Sequence, residues 1–404
     1  MKVCFVTANW PPEASGGTEQ VVVALARELR ALGVDVFAIS GSDRFRTHGE
    51  DVEHETHDGV PVHRVRRYFC EDDANGLVHE RLVRIVRHLL LKHRPEVVHV
   101  HAFSRLGAGI TPICREFGMR VVVTFHDLWV TCARYFRVPA DGIRCPTGID
   151  RGPCVPCIAE LLPGADQAFI AAALQRRDHV LRAEVALAHV ATAPSATAAR
   201  FVRECLPFAA PIEVIPHGLL RPVPVEHLAE RWHPGKPLRV GMFGGLVAVK
   251  GVRELVAAVA GLPCELHLSG PFHDAGLEHE VRARVAANGN RLVLRPHYTG
   301  AERHPARDLH LAVFPSKCQE TYGLVVDEAL AHGVPAVLSD QGAFAERAGV
   351  GGVVVTPIAQ LASVLRELVG SPEKIAALRA AIPASLPTIV ASAERHLELY
   401  RRLR

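Results

Sequence analysis

The 404-residue chain is expected to be an α/β protein of two doubly wound domains. Three observations carry that expectation. Short apolar runs without two-residue alternation recur along the chain, as in parallel strands buried on both faces. Stretches with apolar residues three or four apart lie between them, as in helices packed along one face. This β-α-β rhythm then restarts near Leu238, after a proline-rich stretch.

In chain order, residues 3–7 form the first strand. Val22, Leu25, Leu29 and Leu32 mark one face of a helix that Gly33 ends. Residues 36–39, 97–100 and 121–125 repeat the strand pattern. Prolines at 222, 224, 234 and 237 mark a linker. Beyond it, residues 240–243 form a strand, and Val252, Leu255, Val256 and Val259 line a helix. Residues 266–268, 292–294, 309–314, 336–338 and 353–355 continue the second sheet, and residues 387–404 form a last helix. The expected domains are 1–218, with a Cys-rich insert at 132–157, and 238–386. The linker is 219–237.

Composition narrows the class. With 49% hydrophobic and 22% charged residues, the chain reads as soluble and globular, long enough for two cores. A net charge of +3 is too small to imply nucleic acid. No apolar run has transmembrane length. The N-terminus resembles a secretory leader only superficially. Trp10-Pro11-Pro12 cuts its apolar run short, and no small-residue cleavage site follows. A cytoplasmic protein is expected.

The densest chemical signal is Pro315-Ser316-Lys317-Cys318-Gln319-Glu320-Thr321-Tyr322-Gly323-Leu324-Val325-Val326-Asp327-Glu328. A strand ends at Pro315-Ser316, and a helix runs from Gly323 to Ala331, closed by Gly333 and Pro335. Glu320 then precedes the helix N-terminus, and Glu328 lies inside it. Free N–H groups at Gly323 and Leu324 suit a phosphate. The two carboxylates suit neighbouring hydroxyls. Together they suit a nucleotide sugar.

This segment resembles the E-x7-E signature of retaining glycosyltransferases of family four, and the resemblance runs over nearly the whole chain. It implies a GT-B fold: two Rossmann-like doubly wound domains facing a cleft, with the C-terminal helix crossing back to the N-terminal domain. It implies transfer of a sugar from a UDP- or GDP-type donor to a small-molecule, glycan or lipid-linked acceptor, with retention. In the family the first Glu meets the donor sugar and the second the ribose, roles that fall here on Glu320 and Glu328. Gly16 and Gly17 match a Gly-Gly loop on the donor, after Pro11-Pro12. Gly244, Gly245 and Lys250 match a second phosphate loop, with Lys250 stabilising the leaving diphosphate. The family often carries Arg where Gly245 stands, so that cation is missing; Lys317 and Arg347 are the nearest substitutes. His126 matches a catalytic histidine near donor sugar and acceptor, and His101 an acceptor-side position. His99 reads as structural. Ile215-Pro216-His217-Gly218 matches a turn with His in place of Asn. No D-x-D-like metal motif is needed, because Lys250 and helix N-termini serve the diphosphate.

Two other readings compete: a GT-B sugar-nucleotide epimerase or phosphorylase, and a non-catalytic sugar-nucleotide or metal-binding protein. The intact E-x7-E context and the Lys250-Gly251 loop favour the transferase.

Cys132, Cys145, Cys154 and Cys157 cluster in a Gly/Pro-rich insert with too few apolar residues to fold by packing. Four thiols including a C-x-x-C suit a closed structural zinc site; an iron–sulfur cluster would use the same ligands, disulfides are disfavoured by a cytoplasmic location, and free or transiently oxidised thiols are the remaining reading. The other six cysteines (Cys4, Cys70, Cys114, Cys205, Cys264 and Cys318) read as small buried hydrophobes. Arg81, Arg84, His88 and Lys92 share one helical face. It reads as solvated, with peripheral contact to an anionic inner membrane face as the alternative.

Overall fold

The computed structural model describes residues 1–14, 16–43, 50–68, 77–138, 145–208, 210–221, 232–233, 235–295, 298 and 304–403. It divides into two units, Met1–Leu220 with Thr388–Arg404, and Arg221–Pro387. Most of the expected linker, Cys70, and residues 139–144 of the insert lie outside the described residues.

The first unit holds strands β1 (Lys2–Thr7), β2 (Asp35–Ser42), β3 (Val52–His57), β4 (Val60–Arg66), β5 (Val97–Val100), β6 (Arg120–Thr124), β7 (Val190–Ala193) and β8 (Ile212–Val214). Their order is β3-β4-β2-β1-β5-β6-β7-β8. All neighbours are parallel except β3 and β4. The helices are α1 (Gly17–Ala31), α2 (Glu80–His93), α3 (Ile110–Glu116), α4 (Cys154–Ala159), α5 (Gln167–Ala186) and α6 (Ala196–Cys205). Val98, Val100, Val121 and Val123 from adjacent strands share the core with Leu82, Leu89 and Leu181 from helices. β3, Val-Glu-His-Glu-Thr-His, is an edge strand with no buried residue. Its polar sequence hides it from a search for apolar runs and blunts the edge against further pairing.

The second unit holds β9 (Leu238–Phe243), β10 (Cys264–Ser269), β11 (Arg291–Arg295), β12 (Leu311–Phe314), β13 (Ala336–Ser339) and β14 (Val353–Thr356). Their order is β11-β10-β9-β12-β13-β14, parallel throughout. Its helices are α7 (Val252–Ala258), α8 (Ala275–Ala287), α9 (Leu324–Ala331), α10 (Leu361–Val369) and α11 (Pro372–Ala380). The chain turns outward in opposite directions from β9 and β12. The ends of these two strands therefore form a topological switch point, where open α/β sheets bind ligands.

The last helix, α12 (Ile389–Arg402), belongs to the first unit. Thr388 caps it, its hydroxyl accepting from the Ala391 N–H at 3.2 Å. The Ile389 N–H donates to the Leu219 carbonyl at 3.0 Å. Gly218 makes this approach feasible: its φ is +71°, and a Cβ there would lie 2.5 Å from the Thr388 backbone. Arg402 closes the far end on Glu213 at 2.8 Å.

Candidate active site

In the second unit, the loops after β9 and β12 carry the expected donor residues, and backbone contacts lock them together. The Lys317 N–H donates to the Val249 carbonyl at 2.8 Å. Gly251, at φ +84°, presses on the Pro315 carbonyl so closely that a Cβ would come within 1.9 Å of its oxygen. Lys250 and Glu320 are thereby brought together, with Nζ 2.7 Å from Oε1. Burial works against the lysine charge, but the carboxylate of Glu320 outweighs it and the Lys250 pKa is raised. The Ala343 N–H fixes Glu320 from behind, donating to its carbonyl at 2.7 Å.

Gly323 caps α9 at φ +86° and Leu324 is its first residue. A Cβ on Gly244 would touch Val325 at 3.4 Å, so the Gly244-Gly245 loop lies against the start of α9. Gly245 is exposed beside it. Glu328 stands in the second turn of α9, with Oε2 3.7 Å from His304 Nε2. The Lys250–Glu320 pair and the start of α9 thus lie together at the switch point, where open α/β sheets bind ligands. The two candidate substitute cations are otherwise engaged. Arg347 pairs with fully buried Asp327 at 2.9 Å, and Lys317 pairs with Glu254 at 3.0 Å.

In the first unit, Gly16 caps α1 and both Gly16 and Gly17 are exposed. The preceding loop is anchored by buried Arg64, which donates to the carbonyls of Trp10 at 2.9 Å and Pro11 at 2.6 Å. At the ends of β5 and β6, His101 and His126 meet with Nδ1 and Nε2 2.8 Å apart. His126 Nδ1 lies 3.3 Å from His217 Nε2. His99 lies between Tyr400 Oη and Thr124 Oγ1, each at 2.6 Å. Burial drives the pKa of His99, His101 and His126 well below the ordinary value, and His217 to about 3. All are neutral at pH 7. Asp127, half-buried beside them, has its pKa raised chiefly by desolvation.

Cys132, Cys145, Cys154 and Cys157 come from three separate segments and line one pocket. None is disulfide-bonded. Among the described residues, no group of three or more His, Cys, Asp or Glu side chains is arranged to hold a metal ion. Burial pushes Cys145 up to about 11. The insert is tied down by more than its thiols. Buried Arg151 pairs with Asp178 of α5 at 2.5 Å and donates to the Cys205 carbonyl at 3.0 Å. Arg134 donates to Cys157 Sγ at 3.2 Å.

On α2, Arg81 pairs with Asp51 at 2.7 Å, while Arg84, His88 and Lys92 are exposed. Among the described residues, no helix is long and apolar enough to cross a membrane.

The family model for Glycosyltransferase Family 4 matches residues 15–219, half of the chain. The chain belongs to glycosyltransferase family 4. A second model, glycosyl transferases group 1, matches residues 237–371. The chain is 26% identical over 347 residues to a GDP-mannose-dependent alpha-mannosyltransferase of Mycolicibacterium smegmatis, covering 85% of this chain and 80% of the relative. Among solved structures it resembles sucrose-phosphate synthase from Thermosynechococcus elongatus, with a TM-score of 0.70 and 18% identity over 100% and 99% of the two chains. It also resembles the Anabaena protein HepE in complex with UDP and glucose, with a TM-score of 0.66 and 18% identity over the whole of both chains. The fold of this family 4 member is GT-B, and its activity is glycosyl transfer.

Sequence reasoning overlooked Arg64, Asp327, Tyr400 and His396, whose ring lies 5.5 Å from that of His99 between centroids. A charged residue inside an apolar run is a usable signal for Asp327. Arg64, in a half-polar strand, carries none.

Proposed function

We propose that this glycosyltransferase transfers a hexose with retention from a nucleoside-diphosphate sugar to a hydroxyl acceptor, without a catalytic metal. GDP-mannose is the first donor to test, since the mycobacterial relatives are named for it. The observation that carries the reading is the Lys250–Glu320 pair beside the α9 N-terminus. Gly16, Gly17, Gly244, Gly245, Gly323 and Leu324 offer backbone to the diphosphate. Lys250 stabilises its growing charge as the C1–O bond breaks. Glu320 holds sugar hydroxyls and Glu328 the ribose. The acceptor hydroxyl attacks C1 on the same face, and a leaving-phosphate oxygen takes its proton. His101 positions a reacting hydroxyl as a neutral hydrogen-bonding group, and His126, whose two nitrogens meet His101 and His217, orients it. The four clustered cysteines take a structural zinc ion, with an iron–sulfur cluster as the alternative. Their shared pocket supports this, although the four side chains as described are not gathered around one metal position.

The test is a donor screen with purified protein, GDP-mannose beside UDP-glucose, with products identified by mass spectrometry and the new linkage by NMR. An inverted anomeric centre overturns the retaining assignment. Binding of neither GDP nor UDP overturns the donor site.

A further inference from the structure

His101, His126 and His217 form a file of three imidazoles joined nitrogen to nitrogen. His101 Nδ1 is 2.8 Å from His126 Nε2, and His126 Nδ1 is 3.3 Å from His217 Nε2. They lie at the ends of β5, β6 and β8, and each is at most 6% exposed. The His101 ring is clamped by Phe5 at 4.4 Å and His99 at 3.9 Å between centroids.

A neutral imidazole has one N–H. With both nitrogens of His126 engaged, one donates and the other accepts. The state of one bond therefore dictates the other. If His217 donates to His126, then His126 donates to His101, and the His101 proton sits on Nε2. If the file reverses, Nε2 becomes an acceptor. That nitrogen is buried and has no hydrogen-bond partner among the described residues. His101 also borders a small cavity lined with Ser104, His126, Asp127 and Trp129. A buried nitrogen without a partner is costly, and a hydroxyl, both donor and acceptor, satisfies it in either state.

We propose that His101 Nε2 is the seat of a sugar hydroxyl, and that His217 is a positioning residue that sets its donor or acceptor state through His126. This rests on the transferase reading above and deepens it. Charge plays no part, because burial keeps all three rings neutral at pH 7.

The test uses the full chain labelled with 15N-histidine. The wild type should show two downfield, slowly exchanging imidazole N–H signals from the file. His217→Leu should lose one and shift the other. His217→Gln, whose amide reaches the place of Nε2, should keep both. Transfer is followed from GDP-mannose to two probes, methyl α-mannoside and methyl β-glucoside. His217→Leu should raise the acceptor KM at least about fivefold with kcat changed less than about threefold, a loss of uniform binding. His101→Asn keeps an atom at Nδ1 and removes Nε2, so it should do the same. His217→Gln should stay within about twofold of wild type.

Equal KM in wild type and His217→Leu, or equal damage from Leu and Gln, overturns the positioning role. If His217→Leu fails to fold, an unchanged acceptor KM in His101→Asn overturns the seat. Consumption of donor with neither glycoside glycosylated also counts against it. GDP binding, measured by calorimetry, reports on the transferase reading separately and should be unchanged in all three variants.

Discussion

Lys250 Nζ lies 2.7 Å from Glu320 Oε1, although seventy residues separate them in the chain. The glutamate is the more buried partner, with 10% of its side chain exposed against 32% for the lysine. Cys318 Sγ adds a weak contact to the same oxygen at 3.5 Å. A diphosphate arriving at the α9 N-terminus would draw the lysine toward itself and release Glu320 oxygens for sugar hydroxyls.

Lys250→Ala should therefore cut turnover by about 10²–10³, corresponding to about 2.7–4 kcal/mol of transition-state stabilisation. Stability should fall much less, because solvent reaches the site and rehydrates Glu320. Steady-state kinetics with thermal unfolding checks both. An unchanged kcat/KM rejects the role of Lys250.

Glu328→Ala should weaken nucleotide binding by roughly 1.5–3 kcal/mol, the worth of a charged hydrogen bond. Among the described residues its Oε2 lies 3.7 Å from His304 Nε2. Titration calorimetry with GDP and UDP reads the change. An unaltered Kd contradicts the ribose contact.

Activity should persist through a short incubation in EDTA if, as proposed, a fixed cation and helix N-termini serve the diphosphate. Prompt loss restored by Mg²⁺ would refute this. Slow loss would instead implicate the cysteine pocket.

Protein purified without chelator should carry one zinc per chain. Cys154→Ser should disorder the insert and weaken acceptor use while leaving GDP binding intact. Arg151 and Asp178 should keep the rest of the domain folded. Elemental analysis decides the point: less than about a tenth of an equivalent of zinc, with four titratable thiols, rejects a closed site. Iron with visible absorbance favours the cluster.

The buried histidines should make the protein acid-sensitive. His217 and His396 have folded pKa values of about 3 and about 4, both lowered chiefly by burial. An unfolded histidine takes its proton near about 6.5. Below that pH the unfolded state binds more protons, so stability is full above it. It falls by about 1.4 kcal/mol per pH unit per histidine toward the folded values. Urea unfolding at several pH values between 7.5 and 5 should show this slope. His396→Gln should reduce it by about one proton. A flat profile would show that the file titrates in the folded state.

The segment that carries Glu320 and Glu328 was legible in the sequence because it is local. A strand, a glycine turn and a helix N-terminus are written in consecutive residues, and the spacing of Glu320 and Glu328 places one before α9 and one within it. The two sheets were legible for the same reason: their central strands are buried on both faces and read as unbroken apolar runs. Polar β3 escaped because an edge strand needs no such run. The tertiary structure alone decided which polar groups meet. Strand order sets His101 beside His126 and His217, Arg64 under the Trp10-Pro11 loop, and Arg347 on Asp327. It also brings Tyr400 of α12 to His99, 301 residues away. Periodicity records which face of an element is buried. Partners for buried polar atoms come from distant segments, and only the packed sheet brings them within hydrogen-bonding distance.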